Sequence, residues 1–224
     1  MAFNDILITE IFHSLQGETS LSGVRFAFIR LTGCNLRCSY CDSTYAFKGG
    51  KKMSIEQILE QISGYNVKHV LLTGGEPLLQ RQTPALVTAL RDKSYAVSIE
   101  THGEVSIAQV AKNARIVMDI KTPSSGMNRG GYQKNLPHLK TGDEVKFVIA
   151  SPEDYAWAKE IVIRGEIPCE EILLSPAVPA KGSPGRFPGV DATWLAERIL
   201  EDRLPVRLQL QLHKLLWGAD RHGV

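Results

Sequence analysis

Hydrophobic positions along this chain follow two rhythms that alternate. Short apolar runs bounded by Gly, Pro and polar clusters predict strands over residues 6–12, 25–31, 68–73, 95–100, 115–120, 144–150 and 171–174. A last one spans residues 207–211, opened by Pro205-Val206. Between the runs the spacing turns helical. Ile55, Ile58, Leu59 and Ile62 share one face behind Ser54-Ile55-Glu56-Gln57, a capping box. Thr83-Pro84 opens a helix carrying Leu86, Val87 and Leu90. Residues 106–112 read as a short helix, Ser151-Pro152 starts one that reaches Arg164, and Asp191 starts one that reaches Glu201. Residues 48–52 read as a solvated turn.

Neither rhythm holds over residues 122–142 or 177–189, which are rich in Gly, Pro, Ser and Asn. The first is long enough to predict a functional lid or a mobile loop. Strands alternating with helices predict the α/β class, a parallel sheet with helices outside. About six such units are too few for a closed eight-fold barrel, so the prediction is a partial, open (β/α) barrel. No repeat, low-complexity tract or linker divides the chain, and residues 1–224 read as one domain. Such sheets place ligand sites beyond the C-terminal ends of their strands. Residues 33–44, Thr73-Gly74-Gly75-Glu76, Glu100-Thr101-His102, Asp119-Ile120-Lys121, Ser175-Pro176 and His213 all fall there. They therefore face one cavity.

Composition narrows the partners. The 224 residues are 43% hydrophobic and 22% charged with a net charge of +2, which argues against a broad nucleic-acid footprint. The start, Met1-Ala2-Phe3-Asn4-Asp5, has no basic region followed by an apolar run, and no apolar stretch is long enough to span a bilayer. The expectation is a cytoplasmic protein with no membrane or nucleic-acid partner. In that reducing compartment clustered cysteines bind metals rather than pair as disulfides.

Three of the four cysteines are clustered as Cys34-x3-Cys38-x2-Cys41; Cys169 stands alone and reads as an ordinary semi-buried thiol. Three thiolates cannot complete a four-cysteine zinc site or saturate a cubane, so one coordination position stays open. Buried structural thiols are the bland alternative, disfavoured by Asn35, Arg37, Ser39 and Asp42 around them. On spacing alone, zinc with a distant histidine and a 4Fe–4S cluster with one open iron stand level. Gly74-Gly75 alone is an ordinary strand-end turn, Arg30 alone a surface salt-bridge arginine, and His213 alone a strand-end histidine.

The cysteine spacing, with Tyr40 before the last cysteine and the separate Gly74-Gly75-Glu76-Pro77, resembles the radical S-adenosylmethionine (SAM) superfamily. Further segments resemble one family within it, 7-carboxy-7-deazaguanine synthase, over nearly the whole chain. These are residues 11–18, 28–34 and 41–43, together with Ile99-Glu100-Thr101-His102-Gly103 and Leu210-Gln211-Leu212-His213-Lys214. The resemblance implies conversion of 6-carboxy-5,6,7,8-tetrahydropterin to 7-carboxy-7-deazaguanine with loss of ammonia, on the route to queuosine and other 7-deazapurines. It implies a radical made from SAM at a 4Fe–4S cluster, hydrogen taken from C6 of the pterin, ring contraction, and return of the hydrogen so that SAM is regenerated. No side-chain acid or base is implied.

Residue by residue, the resemblance implies cluster ligation by Cys34, Cys38 and Cys41. It implies SAM contacts at Gly74, Gly75, Glu76, Glu100, Lys121 and Ser175, with Glu76 accepting from the SAM ammonium. Pterin contacts fall at Leu15, Gln16, Gly17, Glu18, Thr73 and His213, and Arg30 grips the carboxylate. Ser43 stands where many members carry Thr and implies a hydroxyl ligand for Mg2+; Thr44 is the second choice. A homodimer and an electron donor such as flavodoxin are implied as partners. A glycyl-radical-enzyme activase shares the cysteine spacing but lacks the Leu-Gln-Gly-Glu segment. A non-catalytic iron–sulfur or zinc-binding protein leaves Gly-Gly-Glu-Pro unexplained.

Overall fold

In the computed structural model, which describes residues 5–178, 189–219 and 221–224, the alternation becomes a single sheet. Its strands are β1 (Ile6–Leu15), β2 (Arg25–Leu31), β3 (Lys51–Met53), β4 (His69–Gly74), β5 (Ala96–Thr101), β6 (Arg115–Asp119), β7 (Glu144–Ile149), β8 (Glu171–Pro176) and β9 (Arg207–Leu208). The helices are α1 (Ile55–Ser63), α2 (Thr83–Asp92), α3 (Pro152–Arg164), α4 (Ala192–Asp202) and α5 (Leu212–Trp217). The order across the sheet is β3-β1-β2-β4-β5-β6-β7-β8-β9. β2 and β4 to β9 run parallel, while β1 pairs antiparallel with β2 and β3. Among the described residues β3 and β9 are the two edges of the sheet and do not pair with each other, so the (β/α) barrel is partial and open.

Period-two alternation gives the sheet two buried faces. Ile29, Leu72, Ile99, Met118, Phe147 and Leu174 point outward into the main core, where the helices cover them. The Ser54 hydroxyl accepts from Gln57 N and the Gln57 side chain from Ser54 N, so the capping box forms as its sequence predicts. On the inner face Phe26, Phe28 and Leu71 make a separate apolar floor, with Phe12 stacked on Phe28 at 4.8 Å. Above that floor the inner positions turn polar: Arg30, Thr73, Glu100, Asp119 and Lys146. Below it, fully buried Glu144 is neutralised by Arg115 at 2.5 Å.

Three local readings change. Residues 48–52, read as a solvated turn, end in β3, which pairs with β1 through Ile6↔Met53. Residues 106–112 form consecutive turns rather than a helix. Asn135 engages the neighbouring backbone there, donating to the Gly103 and Val105 carbonyls and accepting from Ile107 N. The last strand stops at Leu208, and Leu-His-Lys-Leu-Leu-Trp, rich in good helix formers, coils as α5. Residues 122–142, expected as a lid or mobile loop, carry three short 3-10 turns and bury Thr122, Ser125, Tyr132, Asn135 and Leu139. Most of the second irregular stretch, 177–189, lies outside the described residues. None of the described helices is long and apolar enough to cross a membrane.

Candidate functional site

The strand ends and the C-terminal segment enclose a cavity of about 240 Å3. Its upper wall is the cysteine loop. Gly33, at φ 102°, occupies the left-handed region that lets β2 turn into it. Arg37 ties the loop internally, donating from Nη1 to the carbonyls of Cys34 (2.8 Å) and Leu36 (2.6 Å), and its guanidinium lies 4.1 Å from the Phe47 ring centre. Ser39 anchors it to the 122–142 segment through its N–H to Ser125 O (3.0 Å) and its hydroxyl to Ser124 O (2.7 Å).

Cys34, Cys38 and Cys41 are half-buried and line the cavity, whereas Cys169 lies in the main core. Burial pushes all three loop thiols up, Cys38 to about 11, so each gives up a proton when it ligates a metal. Among the described residues no three His, Cys, Asp or Glu side chains are grouped as one metal ion requires. A zinc ion draws its sulfurs to about 2.3 Å from a single centre. Three thiolates on one cavity-lining loop leave one iron of a cubane without a protein ligand, and this donor set fits such a cluster.

The Gly74-Gly75 turn passes against this loop. Gly74 has φ 141°, and a Cβ there would enter the backbone of Leu31; one at Gly75 would enter the Gly33 carbonyl and approach Cys34 Cβ to 2.8 Å. The glycines are thus needed where two backbones meet, in addition to any ligand. Glu76 N donates to Gly33 O at 2.8 Å. The Glu76 side chain, expected on the cavity wall, is fully buried behind it. Its oxygens accept from the Thr101 hydroxyl (2.9 Å), His102 N (2.9 Å) and Leu78 N (3.0 Å).

His102 continues this brace. Its Nδ1 accepts from Glu104 N at 3.0 Å, which leaves the proton on Nε2, 2.9 Å from Asn35 Oδ1. Burial and the Lys121 charge bring His102 down to about 4, so the imidazole is neutral. Lys121 pairs with Asp119 Oδ2 at 2.9 Å, and Asp119 Oδ1 is a buried acceptor that has no hydrogen-bond partner among the described residues. Such an oxygen beside an open cavity suits a ligand hydroxyl or ammonium.

The opposite wall is built around Glu18. Burial alone would raise its carboxyl, but Lys146 and His213 outweigh that and bring it down to about 2. Lys146 Nζ lies 2.5 Å from Glu18 Oε2, 2.8 Å from Glu100 Oε1 and 3.6 Å from Asp119 Oδ2. Gln211 Nε2 donates to Glu18 Oε1 at 2.8 Å, and the Thr73 hydroxyl to Glu100 Oε2 at 3.0 Å. α5 is pinned by Leu212 N to Gly17 O (2.8 Å), and only glycine at 17 leaves room for the His213 ring. Leu15 and Gln16 join this wall. Arg30 enters from β2 with Nε on Glu10 Oε1 at 2.7 Å; among the described residues its terminal nitrogens have no protein partner.

Ser43 lines the cavity, with its hydroxyl 3.0 Å from Asp42 Oδ1; Thr44 is exposed and off the wall. Lys214 Nζ, 2.8 Å from Asp42 Oδ2, holds that carboxyl well below the ordinary range against the opposing effect of burial. Ser175 is buried in β8 and also off the wall, which at that strand is formed by Ala177 and Val178. Lys146 was not singled out from sequence, and Asp42, Gln211 and Lys214 entered only as parts of longer segments, with no site role given to them. For Lys146 a signal existed: period two places it with Glu144 on the face opposite Val145 and Phe147.

The Radical SAM superfamily model matches residues 28–145. The chain is 41% identical to a 7-carboxy-7-deazaguanine synthase of Koribacter versatilis over 97% of this chain and 99% of the relative. It is 38% identical to one of Thermoplasma acidophilum over 98% of this chain and 100% of the relative. The crystal structure of QueE from Escherichia coli superposes with a TM-score of 0.71 at 26% identity, covering 93% of this chain and 95% of that one. SuiB from Streptococcus suis, at 16% identity and a TM-score of 0.60, covers 80% of this chain and 48% of its own and shares the fold.

Proposed function

The chain belongs to the 7-carboxy-7-deazaguanine synthase family of the radical SAM superfamily, and from that premise we propose how its side chains divide the work. It is a radical SAM lyase of 7-deazapurine biosynthesis, forming 7-carboxy-7-deazaguanine from 6-carboxy-5,6,7,8-tetrahydropterin with release of ammonia. The family implies a 4Fe–4S cluster and SAM. Bound together, they would supply radical chemistry able to abstract a hydrogen atom.

Cys34, Cys38 and Cys41 hold the cluster. The Gly74-Gly75 backbone, Glu100, Asp119 and Lys121 face SAM, while Glu76 acts from behind, fixing the turn through Thr101 and His102. Glu18, ionised at neutral pH, accepts from the pterin amino and ring N–H groups. Lys146 and Gln211 hold its two oxygens from the rear and leave lone pairs for the ligand. Backbone at Leu15–Gly17 and the Thr73 hydroxyl meet the ring edge, and His213 covers its face. Arg30 takes the carboxylate on its two terminal nitrogens, a fork-to-fork pair. The Phe12, Phe28 and Leu71 floor excludes water from below. Ser43 would offer its hydroxyl to a Mg2+ ion, which would help to orient the substrate carboxylate. A second copy of the chain, covering the exposed Leu215 and Leu216 of α5, a one-electron donor such as flavodoxin and a cytoplasmic setting complete the proposal.

One observation carries it: the same cavity has the three-cysteine loop on one wall and an ionised Glu18 with a half-free Arg30 on the other. The test is equilibrium binding of 6-carboxypterin and of SAM to anaerobically reconstituted protein. Arg30→Ala should weaken 6-carboxypterin by about 30-fold or more, since losing one partner of a desolvated charge pair costs roughly 2–5 kcal/mol. SAM affinity should stay within a few-fold. Equal losses of both ligands would mean that Arg30 supports the cysteine loop.

A further inference from the structure

Arg30 is not alone on its strand. The β1–β2 register changes between Ile8 and Glu10, so that Glu10 lies directly opposite Arg30 while Ile8 faces Leu31. Thr9, the residue released by this bulge, bonds its hydroxyl to that of Thr32 at 2.6 Å. Bulges beside active sites re-aim side chains, and residues directly opposite in an antiparallel pair share a face. Glu10 and Arg30 therefore both point inward, two residues from the stacked Phe12 and Phe28.

The contact is one-sided. Arg30 Nε donates to Glu10 Oε1 at 2.7 Å, and the Tyr45 hydroxyl donates to the same oxygen at 2.8 Å. Tyr45 also presents its ring 5.7 Å from the guanidinium carbon, within the range of a cation–π contact. A carboxylate can pair with a guanidinium either across Nε and one terminal nitrogen or across both terminal nitrogens. Glu10 occupies the first edge through a single oxygen, and only the end-on edge is left for a ligand. Both side chains are largely shielded, at 16% and 22% exposed, so the aim is held in the free protein.

We propose that Glu10, braced by Tyr45, is the positioning residue that presents the end-on edge of Arg30 to the substrate carboxylate. This rests on the reading of Arg30 as the carboxylate anchor. The sign of the effect is not trivial, because Glu10 is itself an anion near the place a carboxylate would take. If it merely competed for Arg30, removing it would tighten binding of a carboxylated ligand; if it aims Arg30, removing it weakens binding.

The experiment compares 6-carboxypterin with pterin, which lacks the carboxylate, on holoenzyme with SAM bound. The quantity read is the ratio of the two affinities. Arg30→Ala must abolish the preference for 6-carboxypterin; if it does not, the anchor reading itself fails. With that control met, Glu10→Ala should cut the preference at least ten-fold and Tyr45→Phe about three-fold. Glu10→Gln, which keeps an oxygen for Nε, should stay within about two-fold of wild type. Pterin affinity, SAM affinity and iron content should be unchanged in all three. An unchanged or increased preference in Glu10→Ala would overturn the proposal. Should Glu10→Ala lose iron, Tyr45→Phe and Glu10→Gln decide: a preference unchanged in Tyr45→Phe, or lost equally with pterin affinity in both, overturns it.

Discussion

Ser43 and Thr44 are neighbours in sequence but not in environment. Ser43 faces the cavity beside Asp42, and Thr44, itself exposed, begins a 3-10 turn. Ser43→Ala should therefore bring turnover down toward its magnesium-free level and abolish the response to added Mg2+, with iron content and SAM binding intact. Ser43→Thr keeps the hydroxyl and should keep the response. Titrating magnesium against initial rate in both variants checks this, and loss of the response in Thr44→Ala instead would move the ligand by one residue. At this scale the cysteines stood out by their spacing, while Arg30 and Glu18 were reached through the family resemblance; all of them line the cavity. Glu76 lies beside the glycines as its spacing implies, and that its carboxylate collects Thr101 and His102 donors behind the wall is a three-dimensional fact. Lys146 was overlooked because one lysine in an apolar run reads as an edge residue until three carboxylates converge on it.

The elements that matter most are two backbones in contact. The Gly74-Gly75 turn and the Gly33-Cys34 turn approach so closely that a Cβ at Gly75 would displace the cysteine loop. Gly75→Ala should cost roughly 1–3 kcal/mol of stability, as overpacking does. It should also lower iron retained after anaerobic reconstitution several-fold. Gly142→Ala is the control, since a Cβ there meets open space, and it should leave both unchanged. Strand and helix positions were readable because period-two and 3.6-residue patterns report burial directly. Where tertiary partners decide, the reading failed. Asn135 holds the chain at 103–107 out of helix, α5 forms from six residues packed over Gly17, and β3 exists because β1 offers it an edge. The 122–142 stretch reads as a loop because 3-10 turns leave no periodic trace, yet it carries the carbonyls that anchor Ser39.

Across the whole molecule, the open barrel buries charge on its inner face and apolar side chains on its outer one. The acid limb of stability should report that arrangement. Glu18 has a folded value of about 2 against an ordinary 4.5, so its contribution is complete above pH 4.5 and is lost as pH falls toward 2. The urea midpoint of the wild type should decline over that window, and the decline should be shallower in Glu18→Gln. Parallel declines would place the acid sensitivity elsewhere. The cavity also unites residues that are distant in sequence, from Leu15 to His213, which is why its membership needed the fold and not only the motifs.

The most direct test is anaerobic turnover. Protein reconstituted with iron and sulfide, reduced, and given SAM, Mg2+ and 6-carboxy-5,6,7,8-tetrahydropterin should accumulate 7-carboxy-7-deazaguanine and ammonia through many cycles, while SAM is not consumed in proportion. SAM cleavage with the pterin left unchanged, in a protein that carries four irons, would contradict the account.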